Sequence, residues 1–353
     1  ADRFKRWPSL FESVSYDSMF NVPDNYSIEL NNTVKTKYDP KYAGSILYGT
    51  KVLKLPVSVF DVDLNQTVMR GVIKNVSTTD DIITIECTSQ LSALAELDAE
   101  IVETGYTPAQ IIYKMLTAPK SLGDITPLID PSYIDMTSYR FAHSHQAQNR
   151  CYVDIAVYKG GEDKKKYTDI ITELNKIGHM NLYSHYDKIY FWQYVTDNTP
   201  SIIISSIISG TYKDTYSQDE EYKIKNSCSI VYKNGASVAY YEAKDMDSID
   251  KYGESIFGIP TDDVDSDAST DFAAIIDNVN GAKWCGDTAI SRLKTPALMC
   301  EFSVEYKYTP VVKVGDVIGL NFGAFVGLNT PVRILEADYD RGERRINLKC
   351  LFV

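Results

Sequence analysis

The sequence has no long apolar run. Its longest, Ser201-Ile-Ile-Ile-Ser-Ser-Ile-Ile208, is strand-length and interrupted by serine, far short of the ~20 residues that span a bilayer. Ala1 to Pro8 are not followed by an apolar h-region, so no signal peptide is expected. A basic excess is also missing. Lys and Arg number 36 against 48 Asp and Glu, a net charge of −12. That balance excludes a protein that grips a nucleic-acid backbone through basic patches, though it is compatible with DNA sliding past without sticking.

Paired cysteine motifs are absent. Cys87, Cys151, Cys228, Cys285, Cys300 and Cys350 lie far apart with no Cys-x-x-Cys, so neither a zinc site nor a disulfide framework is expected. These residues read instead as small buried hydrophobes with reduced thiols. No Gly-x-Ser-x-Gly, phosphate-cradling glycine loop or His-Glu-x-x-His occurs. No catalytic residue, cofactor ligand or metal ligand is nominated, and the chain reads as a non-enzyme.

Three stretches come nearest to site chemistry. His143-Ser-His145 would place both imidazoles on one face if the segment were a strand, but no third ligand accompanies them. Asp263-Val-Asp-Ser-Asp267, with Asp271, spaces its carboxylates like a calcium loop. The sixth and twelfth loop positions are Ala268 and Ala274, where such a loop needs Gly and a bidentate Glu. It reads as an acidic loop followed by helix N-capping near Thr270-Asp271. Lys159-Gly-Gly-Glu-Asp-Lys-Lys-Lys166 reads as a polar connector. His179 and His185 flank a hairpin and read as structural.

What is present is β patterning and 26 tyrosines, which suit strands and wide interfaces. At 353 residues the chain should form two or more domains. Tyr26 to Leu30, Ala43 to Leu47, Val52 to Asp61, Thr67 to Val76 and Asp81 to Thr88 read as strands, the last two as a hairpin, and a short helix over 89–97 closes this unit. Thr107-Pro108 opens a helix to Leu116. Tyr167 to Ile177 forms an amphipathic helix with Gly178 as its stop, and the hairpin Met180 to Ser184 with Lys188 to Gln193 follows. Ile202 to Ile208, Glu221 to Tyr232 and Ser237 to Glu242 are further strands, with Asn234-Gly235 in the turn. A helix over Asp271 to Lys294 precedes the strands Met299 to Tyr308, Val314 to Leu320, Thr330 to Glu336 and Arg345 to Phe352.

The fold class is β-rich α+β: two small antiparallel β-barrels, an interposed α/β domain, and a helical insertion in the second barrel. The expected boundaries are 1–98 for the first barrel and 99–195 for the interposed domain. The second barrel takes 196–244 plus 298–353, and the insertion takes 245–297.

Ser248-Ile-Asp-Lys-Tyr-Gly-Glu254, Arg292 to Pro296, Phe302 to Tyr306 and Gly315-Asp316 resemble, in that order, the C-terminal half of phage tail baseplate-hub proteins. This group includes the hub of contractile tails and the late-control D-type proteins. Gly71-Val-Ile-Lys74 and Ile83 to Cys87 are similar to its first barrel, and Asp169 to Trp192 resembles its interposed domain. One departure concerns the helix before the Pro, usually longer and rich in Ala and Leu. Here Ala273 to Leu293 is interrupted by Gly281 and Gly286, so a distorted or shortened helix is expected.

The resemblance implies a structural virion protein, assembled in the host cytoplasm, with tail-tube-like barrels. It implies a homotrimer whose six barrels adapt a sixfold tail tube to a threefold spike or tip. Tube, tape-measure, spike and other baseplate proteins would be its partners. DNA would pass through its lumen without specific binding, and no stable membrane insertion is implied. The alternatives are a sixfold tube-end adaptor (distal tail protein) and a host-surface carbohydrate-binding module using Tyr183, Tyr186, Tyr190 and Trp192. A cell-wall hydrolase at the tail tip is the most distant reading.

Overall fold

The computed structural model describes residues 11–19, 25–31, 41–43, 53, 55–61, 65–79, 82–89, 91–92, 94, 97–118, 127–157, 165–185, 188–217, 222–259, 274–308, 312–340 and 342–353. The N-terminal part holds β1 (Phe11–Met19), β2 (Asn25–Asn31), β3 (Pro56–Asp61), β4 (Gln66–Thr78) and β5 (Ile82–Thr88). The middle holds β6 (Ile101–Tyr106), α1 (Pro108–Thr117), α2 (Met136–Gln148), β7 (Val153–Val157), α3 (Tyr167–Gly178), β8 (Met180–His185) and β9 (Lys188–Gln193). Next come β10 (Ile202–Ile204), β11 (Lys213–Tyr216), β12 (Ser227–Asn234), β13 (Ser237–Lys244), α4 (Met246–Tyr252), β14 (Ile256–Ile259), β15 (Ala274–Ile276) and α5 (Val279–Leu293). The chain closes with β16 (Leu298–Glu305), β17 (Val317–Leu320), β18 (Thr330–Asp340) and β19 (Arg345–Phe352).

Strands from both chain ends form one sheet of eleven, in the order β11-β16-β19-β18-β1-β2-β5-β4-β3, with β17 also on β18 and β10 on β17. The seam between the two ends is β1 against β18, antiparallel from Ser15 opposite Asp340 to Met19 opposite Glu336. The sequence reading places no strand at β1, because Ser, Asp and Glu interleave its apolar residues. Among the described residues the sheet runs from edge β11 to edge β3, and no pairing closes either half on itself. The alternation Ile83, Ile85, Cys87 on β5 and Ile346, Leu348, Cys350 on β19 puts apolar side chains on one face of this sheet. Together with Phe302, Ile334 and Tyr339 they form one core.

A six-stranded sheet, β13-β12-β15-β7-β6 with β14 beside β12, carries the second core. Of the span 196–244 expected in a second barrel, β10 and β11 do pair with the C-terminal strands β17 and β16, whereas β12 and β13 do not. β12 and β13 are joined by a hairpin with Gly235 at φ +65°, as expected, but β12 pairs on with β14 and β15, and neither strand pairs with the C-terminal strands. The described part of 245–297, expected as a helical insertion, packs into the core of this six-stranded sheet. Cys285, Ala289 and Ile290 of α5 belong to the same core as Ile111, Ile155, Leu174 and Phe191. The strand readings at 44–52 and the acidic loop lie outside the described residues, and so do residues 90, 93, 95 and 96 of the helix reading over 89–97, in which Ser92 and Leu94 are helical.

Local helix signals explain the boundaries. Thr107 caps α1 through a capping box with Gln110, with Pro at the start of the helix, as expected. α3 covers the expected Tyr167–Gly178, but its left-handed cap is His179 at φ +47°, not Gly178. Glycine is required at 178 for space, since a Cβ there would stand 2.7 Å from Nε2 of Gln146 and 3.0 Å from Cβ of Pro108.

α5 starts at Val279 with Asn278 as its cap, accepting from the N–H of Gly281, eight residues later than expected from Asp271. The intervening Ala274–Ile276 is a strand, and Thr270 and Asp271 lie outside the described residues. The two glycines do not interrupt the helix, which is continuous through both. A Cβ on Gly281 would lie 2.7 Å from the carbonyl oxygen of Arg150 and 3.2 Å from Cα of Cys151. One on Gly286 would lie 2.5 Å from Sγ of Cys228. These are close approaches of helix to sheet, not breaks.

The two accounts of these glycines predict opposite signs. Gly281→Ala should destabilise the protein by about 1–3 kcal/mol, because backbone atoms block the new methyl. A helix-breaking role would make the same change stabilising by up to about 1 kcal/mol. The urea midpoints of the two proteins decide between them.

Candidate functional site

Among the described residues no group of three His, Cys, Asp or Glu is placed to hold a metal ion. His143 and His145 lie on α2, not on a strand. Two residues apart on a helix, they face away from each other. The Nδ1 of His143 is 3.1 Å from the Thr107 hydroxyl, whereas His145 meets the edge of Trp284 with centroids 5.9 Å apart. Of the lysine-rich connector, the described Lys165 and Lys166 are ion-paired with Glu173 and Asp98.

The distinctive feature is a two-stranded ribbon, β8 with β9, in register from Met180 opposite Gln193 to His185 opposite Lys188. Every residue of β8 is buried. A solvated hairpin alternates apolar and polar residues. This ribbon instead alternates between two cores. Met180, Leu182, Ile189 and Phe191 belong to the core of the six-stranded sheet. On the opposite face Tyr183 belongs to the core of the eleven-stranded sheet, and Tyr190 and Trp192 pack against it.

Each face is fixed by polar contacts as well as packing. On the first face the Gln146 side chain accepts from the N–H of Ala109 at 2.9 Å and donates to Oε1 of Gln193 at 3.0 Å. Gln193 in turn donates to the carbonyls of Gly178 and His179 at 3.0 and 3.1 Å. Both glutamines thus donate to the Gly178 carbonyl at the end of α3, while the His179 carbonyl also accepts from the N–H of Tyr194 at 2.9 Å. His179 extends the network, its Nε2 lying 2.7 Å from the carbonyl oxygen of Cys285 on α5.

On the second face Trp192 donates from Nε1 to the carbonyl of Gly315 at 3.1 Å. Gly315 has φ +90°, and a Cβ on it would stand 2.3 Å from the indole ring. The Val-Gly-Asp turn therefore serves to seat this tryptophan. The guanidinium of Arg333, 3% exposed, lies 4.9 Å from the Trp192 ring centre and 5.4 Å from that of Tyr194. It donates to Asn198 at 2.9 Å, and burial lowers its pKa. Such stacking suits the planar, weakly hydrated guanidinium.

This geometry corrects the carbohydrate reading of the aromatics. Tyr183 and Tyr190 stack with centroids 5.1 Å apart, and Tyr183 is 5% exposed. Trp192 is covered by Gly315 and Arg333. Tyr186 lies outside the described residues. Tyr183, Tyr190 and Trp192 join the two cores, and the buried Tyr183 is closed to a sugar. Sequence reasoning found these residues but not their partners, which are distant in the chain.

Two buried histidines sit at the two ends of β8. Burial is the main cause that pushes His179 down to about 3, and the positive charge of Arg292 adds to it. Burial likewise takes His185 to about 3, assisted by Lys313. From pH 6.5 down to about 3 the unfolded chain therefore binds protons that the fold excludes. Stability should fall by about 1.4 kcal/mol per pH unit per ring as pH drops through that window. Asp316 acts in the opposite sense: burial raises its carboxyl to about 6, so between pH 6 and about 3.8 its protonation favours the fold with a similar slope. The urea midpoint should hold above pH 6.5 and decline from 6.5 to 5, where ordinary carboxylates stay ionised. His185→Phe should remove its share of that decline. A midpoint unchanged from pH 7 to 5 would contradict the burial of these rings.

No family model matches the sequence, and no curated protein matches it either. Solved structures do match in fold. A tail protein from Neisseria meningitidis is 11% identical with a TM-score of 0.57, over 97% of this chain and 92% of its own. The 43 kDa tail protein of prophage MuSo2 from Shewanella oneidensis is 11% identical with a TM-score of 0.53, over 98% and 94%. An E. coli type VI secretion component, described as structurally similar to the T4 tail proteins gp27 and gp5, is 10% identical with a TM-score of 0.53. That match covers 99% of this chain and 76% of the other. The fold of this chain is the fold of these phage tail and secretion-system proteins.

Proposed function

We propose that this chain is a structural component of a phage or phage-like tail, a trimeric hub joining a sixfold tail tube to a threefold spike or tip. The observation that carries the proposal is the two-way extent of the similarity, 97% of this chain and 92% of the Neisseria tail protein. A shared module would match in part. Here the whole arrangement matches end to end.

Other features fit the same reading. In it, the N-terminal and C-terminal β units each supply one tube-like position of a ring, and the β1–β18 ladder fixes one unit against the other. Val326 and Leu328, exposed on the turn between β17 and β18, and Tyr240, exposed on β13, offer apolar contacts to neighbouring subunits or to tube, tape-measure, spike and other baseplate proteins. The net charge of −12 suits a channel through which DNA passes without being retained. The protein would act in the virion by assembly and not by catalysis.

Native mass measurement of the purified protein tests this directly. Three copies are expected. Six would favour a tube-end adaptor instead, and a monomer that persists at high concentration would remove both.

A further inference from the structure

All six cysteines are buried as free thiols, but two of them have a relation the others lack. Cys300 on β16 and Cys350 on β19 are direct register partners in an antiparallel ladder. Residues directly opposite in such a ladder project from the same face. Their Cα atoms stand about 4.5 Å or about 5.5 Å apart, according to the type of pair, and both spacings lie within the range a disulfide spans. The register alone brings the two side chains together, and the neighbouring Cys300 thiol adds to the upward shift of Cys350.

Access comes from the edge of the sheet. In the row across the strands Ile334 is opposite Cys350, Cys350 is opposite Cys300, and Cys300 is opposite Asp214 on β11. β11 is the edge strand, four residues long, with every side chain exposed. Among the described residues this short strand pairs only with β16, and such a strand opens at low free energy, which would give an oxidant its path to Cys300. Closed, the pair is wholly buried, and burial raises the Cys350 thiol well above its usual value. Little thiolate is available, so the pair persists as thiols in a reducing compartment and reacts slowly elsewhere.

We propose that Cys300 and Cys350 are a dithiol oxidation site, a latent cross-strand disulfide that locks the C-terminal strand to β16 in an oxidising environment. The oxidant is a small disulfide or azo compound. One thiolate attacks it to give a mixed adduct, and the second thiolate then displaces the reduced carrier as the S–S bond forms. Two thiol protons and two electrons leave the protein. Oxidised glutathione departs as two glutathione molecules, and diamide departs as its hydrazine. The inference does not depend on the proposed tail function.

The test uses the full chain, purified reduced, exposed at pH 8 to diamide or to oxidised glutathione, then unfolded in N-ethylmaleimide and digested. Mass spectrometry should find the peptide with Cys300 joined to that with Cys350, two hydrogens lighter, and reversible by dithiothreitol. Cys87, Cys151, Cys228 and Cys285 should carry the label. The oxidised protein should unfold at a higher urea concentration than the reduced one, and Cys350→Ser should lose both the link and that shift. Full labelling of Cys300 and Cys350, after an exposure that crosslinks the urea-unfolded chain, would overturn the proposal. So would glutathione adducts on either cysteine that never close.

Discussion

Everything in this protein depends on a ribbon with two buried faces. A β-strand points successive side chains to opposite sides, and each strand of the Met180–Gln193 hairpin sends alternate residues into different cores. A shift of either strand by one residue would exchange the two sets. Leu182 and Phe191 would then face the Val-Gly-Asp turn and Arg333, and Tyr183 and Trp192 would be forced toward α1 and α3. Register is thus specified from both sides at once, and the position of one core sets the position of the other.

The elements around the ribbon follow from that demand. Gly178, Gly281, Gly286 and Gly315 are all places where a Cβ would meet a neighbour closer than 3.0 Å. They let α3, α5 and the turn before β17 approach their neighbours closely. Polar groups buried with the ribbon find partners: the glutamines close the end of α3, and Arg333 lies between aromatic faces and Asn198. A second joint, β1 on β18, brings the two chain ends into one sheet.

Much of the β patterning was legible because alternation and turn chemistry are local. Ile83, Ile85 and Cys87, the Asn234-Gly235 turn, and Thr107-Pro108 act within a few residues of themselves. What was not legible is non-local. Nothing near β12 says that it pairs with β14 and β15 and not with β16, since both choices suit the same half-apolar strand. β1 carries too many Ser and Asp residues to read as a strand, and its ladders to β2 and β18 supply the order. α2 buries little beyond Ala142 and Gln146, so it shows no apolar stripe. Its one local signal is Asp135, which accepts from the N–H of Ser138 at 2.7 Å. The glycines of α5 read as breaks because the strand they pack against is out of sight in the sequence. The aromatics of the ribbon left a sugar-binding alternative open for the same reason.

Hydrogen exchange of the native protein through a urea series tests the central claim, that the ribbon couples the two cores into one cooperative body. The account predicts that amides of Met180–His185 and Lys188–Gln193 exchange only with the most protected strands of both sheets, at a single opening free energy. Ribbon amides that exchange well before either sheet, or two sheets that open at separate urea concentrations, would contradict it.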